Sequence, residues 1–100
     1  MYIQIKKYVN QNNIYYYSVN TTELGGYDFF IGIDPLKKKI LFFSNNNFND
    51  NPITVVDFNL SEPLLAPNTI DLKVYTRVVT KACRALINNE FPDSLDYESC

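Results

Sequence analysis

Histidine is absent from this 100-residue chain. That removes an imidazole general base, a Ser-His or Cys-His pair and a His-ligated metal from the chemistry on offer. Sulfur is scarce: Cys83, Cys100 and Met1 are the whole inventory. Cys83 falls within a helical pattern and Cys100 is the last residue, so both thiols are expected to be free, as in a reducing compartment. Three glycines, Gly25, Gly26 and Gly32, match neither GxxxxGK[ST] nor GxGxxG, so no phosphate loop is expected. No apolar run approaches the roughly 20 residues that span a bilayer. The first residues, MYIQIKKYVNQNN, lack the apolar core of a signal peptide. The expectation is a cytoplasmic protein with no cofactor, no metal and no membrane partner.

The charge is also small. Nine basic and 11 acidic residues leave a net charge of -2, too little, with 46% hydrophobic residues, for intrinsic disorder. The acidic balance argues against nucleic acid as a partner. Lys73, Arg77, Lys81 and Arg84 cluster in one stretch, and beyond Arg84 there is no basic residue, while Glu90, Asp93, Asp96 and Glu98 follow. The reading is a basic helix face followed by an acidic tail.

What is plentiful is β-forming. Tyr2 to Val9 alternates apolar and polar positions, the period of a half-buried strand. Asn10-Gln11-Asn12-Asn13 supplies a turn, and Ile14 to Val19 returns as a second strand. Tyr27 to Ile33 and Lys39 to Ser44 form a second hairpin around Asp34-Pro35, which suits a type I turn. Of the 13 asparagines, Asn45, Asn46, Asn47, Asn49 and Asn51 crowd one loop, read as a flexible turn in preference to a polar recognition loop. Ile53 to Phe58 is a fifth strand. Leu60 to Asn68 carries two prolines and is neither helix interior nor central strand.

From Thr69 the period changes. Leu72, Tyr75, Val79, Ala82 and Leu86 line one helical face, widened by Val78 and Ala85, with the basic residues opposite. Asn68 or Thr69 is the expected N-cap, with Asp71 in the first turn, and Phe91-Pro92 the stop signal. The architecture is a single α+β domain over residues 1–100: an antiparallel sheet of about five strands from sequential hairpins, with one C-terminal helix packed on one face. Phe29-Phe30, Phe42-Phe43 and Tyr15-Tyr16-Tyr17 put apolar side chains on both faces of that sheet. One helix covers one face. The other is left for the Leu60–Pro67 segment or for a partner.

No catalytic constellation is expected. Asp28 and Asp34 share a face by parity, but turn chemistry accounts for Asp34. Asp57 reads as a strand-end residue bonding to nearby backbone, and Cys83 as a small core residue. Tyrosine mixed with carboxylates is the composition of a surface that captures a cationic protein. Partner contacts are therefore expected at Tyr15, Tyr17, Asp28, Asp57, Glu62, Asp93 and Tyr97.

The stretch GGYDFFIGIDPLKKKILFFSNNN, then NPITVVDF, then a helix closing on NEFPDSLDYES, resembles the small immunity proteins of contact-dependent growth inhibition and related polymorphic toxin systems. The resemblance lies in layout and covers most of the chain from Tyr27. It implies a non-enzymatic cytoplasmic inhibitor that occludes a cognate toxin domain, often a nuclease. The alternative expectation is a generic interaction module or a homodimer formed through the uncovered sheet face.

Overall fold

A computed structural model of the chain describes residues 2–21, 27–60 and 65–98, with the backbone alone at Tyr27. Strands β1 (Tyr2–Gln11), β2 (Ile14–Thr21), β3 (Tyr27–Asp34), β4 (Lys39–Phe43) and β5 (Thr54–Asp57) precede helix α1 (Leu72–Asn88), and a short β6 (Tyr97–Glu98) follows it. All pairings are antiparallel, in the order β5-β4-β3-β2-β1-β6. The expected fold class therefore stands, with a sixth strand added at the C-terminus.

Local chemistry accounts for the hairpins. Asn12 and Asn13 both adopt positive φ, 55° and 64°, between the paired ends Gln11 and Ile14. That is the two-residue turn whose twist matches the flanking strands, and asparagine tolerates it. In the next hairpin the Asp34 carboxylate accepts from the backbone N–H of Leu36 (3.1 Å) and Lys37 (3.0 Å). β1 carries a bulge at Tyr8, where the register shifts between Lys7 and Val9.

Helix α1 begins two or three residues later than Thr69 or Asn68 would place it. Asp71 is the N-cap, accepting from Lys73 N (2.8 Å) and Val74 N (3.3 Å). The helix ends before Phe91-Pro92, because Asn89 takes the left-handed conformation at φ 52° and its N–H caps the last carbonyls. The buried face comprises Val74, Tyr75, Val78, Val79, Ala82, Ala85 and Leu86. Leu72, expected on that face, is exposed, and Val74 takes a buried place instead. Val74 lies on the same face as Val78, Ala82 and Ala85 by the helical period, whereas Leu72 falls off it.

This face packs on Ile3, Ile5, Tyr17, Val19, Phe29, Ile31, Ile33, Ile40 and Phe42, one per two residues along the strands. The rings of Phe42 and Tyr75 lie 4.7 Å apart across the interface.

The second face has its own cover, and it is the asparagine-rich loop. Phe48 stacks on Tyr16 at 3.9 Å between centroids and meets Phe43, Phe30 and Tyr8 edge-on at 5.3, 5.8 and 6.0 Å. Asn46 Nδ2 donates to the Tyr8 hydroxyl at 3.1 Å. Asn45 and Asn47 bond the loop's own backbone, to Asn47 N and Asn49 N. The asparagines hold the loop's shape while one phenylalanine supplies the apolar contact. Gly32, paired with Tyr16, lets the Tyr16 ring lie against the sheet: a Cβ there would sit 2.8 Å from Tyr16 Cε1.

The acidic tail is not a loose terminus over its described length. Residues 93–98 return antiparallel along β1, with Lys7 N donating to Asp93 O and Leu95 N to Ile5 O, each at 2.8 Å. Asp96 fastens this strap. Its carboxylate accepts from Ile5 N (2.8 Å), the Tyr2 hydroxyl (2.6 Å) and Lys6 Nζ (3.3 Å). Burial by itself pushes the Asp96 carboxyl up. Hydrogen bonds from Tyr2, Ile5, Ser94 and Lys6 outweigh it and hold the group below its ordinary value.

Candidate functional site

The residues expected to contact a partner do not converge. Tyr15, Tyr17 and Tyr97 stand on the helix-covered side of the sheet, opposite or beside core residues Ile33, Ile31 and Ile3 in the register. Asp28 pairs with Asn20 and by parity belongs to the other face. Asp57 pairs with Lys39 at the end of β5. Glu62 lies outside the described residues, as do Gly25, Gly26 and Cys100.

Several of these side chains are committed inside the molecule. Tyr17 is fully buried, so it cannot serve as a surface anchor; its hydroxyl donates to Pro92 O at 2.7 Å. Burial, with help from Asp93 and Tyr15, pushes its pKa far up, which keeps the phenol a donor. Three consecutive tyrosines look equivalent in sequence, but alternation sends Tyr16 and Tyr17 to opposite faces, and both faces are covered. Tyr15 is half-buried, stacked on Phe91 at 4.2 Å and nearly parallel, with Lys7 Nζ 5.5 Å from its centroid. Tyr97 carries the Arg77 guanidinium over its ring at 5.3 Å. Asp57 accepts from Asn59 N at 2.9 Å, the strand-end bond expected for it. Asp93 is exposed and pairs with Lys7 at 3.7 Å. Asp28 is exposed.

The exposed apolar surface lies at the β5 end of the sheet, where Asp57 is the one expected contact among the described residues. β5 is an edge strand: β4 occupies one side, and no described strand pairs with the other. Between this edge and α1 runs a groove of about 450 Å³, with Val55, Phe58, Leu60, Leu65 and Cys83 among its walls, and with Asp57, one of the expected contact residues, also lining it. Leu60 is 54% exposed and Leu65 79%. Burial raises the pKa of the Cys83 thiol, so the sulfur in this wall is a neutral apolar group. The groove follows from two elements the sequence reading described separately, the last hairpin strand and the far side of the helix. The signal that could have found it is the density of apolar residues around Leu60 to Leu65 outside any periodic element.

The outer face of α1 adjoins this groove. Lys73, Arg77, Thr80, Arg84, Ile87 and Asn88 are exposed along it. None of the described residues forms a group of three metal-binding side chains. No helix among them is long and apolar enough to cross a membrane. The groove can bury an apolar segment, and the edge can hydrogen-bond an extended one. The chain matches no protein-family model, no curated protein and no solved structure.

Proposed function

We propose that this chain is a stoichiometric protein-binding inhibitor, an immunity protein that acts in the cytoplasm by occluding the toxic domain of a cognate effector, without enzymatic activity. The observation that carries the reading is the groove beside the β5 edge, an edge no described strand pairs with, where Leu60 and Leu65 are largely exposed next to the Asp57 position. The layout from Tyr27 onward, similar to that of small immunity proteins, supplies the kind of partner. Co-expression with the toxin domain encoded beside its gene tests the reading. Rescue of growth and co-purification are expected; absence of both overturns it.

The same edge favours one second reading. Two copies pairing β5 to β5 would satisfy both edges with an isologous two-fold interface. A mass that rises from monomer to dimer with concentration in light scattering supports self-association. A constant monomer mass removes it.

A further inference from the structure

The strongest charge feature of the molecule is a row of cations on the outer face of α1. Lys73, Arg77, Lys81 and Arg84 follow one another at four, four and three residues. At 100° and 1.5 Å per residue they occupy an arc of about 80° and a line about 16 Å long. The side chains of Lys73, Lys81 and Arg84 have no hydrogen-bond or ion-pair partner among the described residues. The ion pairs that are formed there, Lys6–Asp96 and Lys7–Asp93, belong to β1 and the strap. Arg77 is laid over the Tyr97 ring, so its guanidinium is already ordered.

Helix stability does not call for this row. Like charges three and four residues apart repel. Lys73 stands in the first turn, at the positive end of the helix dipole, and no basic residue occupies the last turn. The chain as a whole carries a charge of -2, so the cations are concentrated locally against the overall balance.

Resting on the reading of a protein-binding module, we infer that the outer face of α1 receives an acidic segment of a protein partner, its carboxylates opposed to Lys73, Arg77, Lys81 and Arg84. Two observations favour protein over nucleic acid. First, the row is bounded. Asp71 stands at its N-terminal end, and Glu90 and Asp96 wall a hollow with Lys81 and Arg84 at its C-terminal end. A phosphate backbone continuing past either end meets carboxylates, whereas a short acidic segment fits between them. Second, the row is flanked by apolar surface. Ile87 is 68% exposed and Leu72 57%. A shallow hollow of about 500 Å³ beside Arg84 is walled by Val79, Cys83 and Ile87. Apolar side chains of an acidic segment can fill it, and a phosphate backbone cannot. The sign of the partner is thus opposite to the one expected from the carboxylates. Asp28 belongs by parity to the far side of the sheet, Asp57 bonds its own strand-end backbone at Asn59 N, and Asp93 and Asp96 are paired with Lys7 and Lys6.

The test uses the full chain and its Lys73→Glu/Arg77→Glu/Arg84→Glu variant. The probes are a fluorescein-labelled peptide of glutamates with leucine at every fourth position, and a labelled single-stranded oligonucleotide of equal length. Binding is read by fluorescence anisotropy at low and physiological salt. Saturable peptide binding is expected, with affinity at least about tenfold lower in the variant, a loss of roughly 1.4 kcal/mol, and a decline with added salt. The variant should melt no lower than the parent, since repulsion along the helix is relieved. Should it melt lower, the glutamine counterparts at the same three positions take its place. Peptide binding that is absent, or equal in parent and variant, overturns the inference. So does tighter binding of the oligonucleotide, which would make the row a phosphate contact. A toxin domain that co-purifies with parent and variant alike keeps the inhibitor reading and overturns this one. Row-dependent peptide binding with no toxin capture does the reverse.

Discussion

Replacing Phe48 by alanine removes the one apolar side chain that the asparagine-rich loop lays on the second face of the sheet. The ring is half-buried, stacked on Tyr16 and edge-on to Phe43, Phe30 and Tyr8. A fully buried phenylalanine removes roughly 150–250 Å² from water. Half of that, about 100 Å² at 25 cal/mol per Å², is worth about 2.5 kcal/mol. The stack on Tyr16 adds about 0.5–1.5 kcal/mol. Against this, a loop released from its anchor recovers backbone entropy of roughly 1–2 kcal/mol for each residue freed. The net expectation is a loss of about 2 kcal/mol. For a chain of this size that lowers the melting temperature by roughly 8–16 °C. Urea unfolding followed by far-ultraviolet circular dichroism measures it, with near-ultraviolet dichroism reporting the tyrosine environment. Phe48→Leu should recover about half the loss by restoring area without the stack. A loss under about 0.5 kcal/mol, with an unchanged tyrosine signal, would refute the claim that this loop is the cover of the second face.

Three further outcomes follow from the same geometry. Asp96→Asn should weaken the strap by about 1–3 kcal/mol, because an amide cannot replace a carboxylate accepting from Ile5 N, Tyr2 and Lys6. The folded state holds the Asp96 carboxyl below its ordinary value, so its contribution is present above the unfolded pKa and lost as pH falls through the folded one. Acid unfolding of the asparagine variant should therefore show a shallower decline over that window, and an unchanged pH profile would count against the linkage. Gly32→Ala should cost about 1–3 kcal/mol in denaturant unfolding, since its Cβ meets a Tyr16 ring held from the other side by Phe48. Combined with Phe48→Ala, which frees that ring, the cost should fall below the sum; strict additivity would show that the two sites do not share the ring. Asp71→Ala should destabilise by about 0.5–2 kcal/mol, and Asn68→Ala or Thr69→Ala by less, placing the helix cap at Asp71 by thermal melting.

The hairpins were legible because their causes are local. Alternation in Tyr2 to Val9, the Asn12-Asn13 turn and the Asp34 turn are decided within a few residues. The face of α1 was legible in outline, since its period is a property of the segment. Its ends were not. Asn68 or Thr69 was the expected cap with Asp71 inside the first turn, whereas the Asp71 carboxylate itself accepts from Lys73 N and Val74 N. The candidate site was the least legible. The tyrosines and carboxylates expected to gather are separated by the parity of the strands, and Tyr17 is enclosed. The exposed groove is formed by β5 and α1, which are apart in sequence.

By itself the sequence determined the α+β class, the hairpin order, the helix and its cationic outer face, and the lack of imidazole chemistry. All of these depend on composition or on periods of two and 3.6, which each segment carries alone. Tertiary structure decided what covers the second face, where the acidic tail goes and which apolar surface stays open. Phe48 sits in a loop without a period, so its fit to Tyr16 exists only once β1 to β4 are paired. Asp96 is one of four late carboxylates, and only the return of residues 93–98 along β1 sets it before Ile5 N, Tyr2 and Lys6. Such contacts join residues distant along the chain, and their partners become definite when the sheet closes one register out of many.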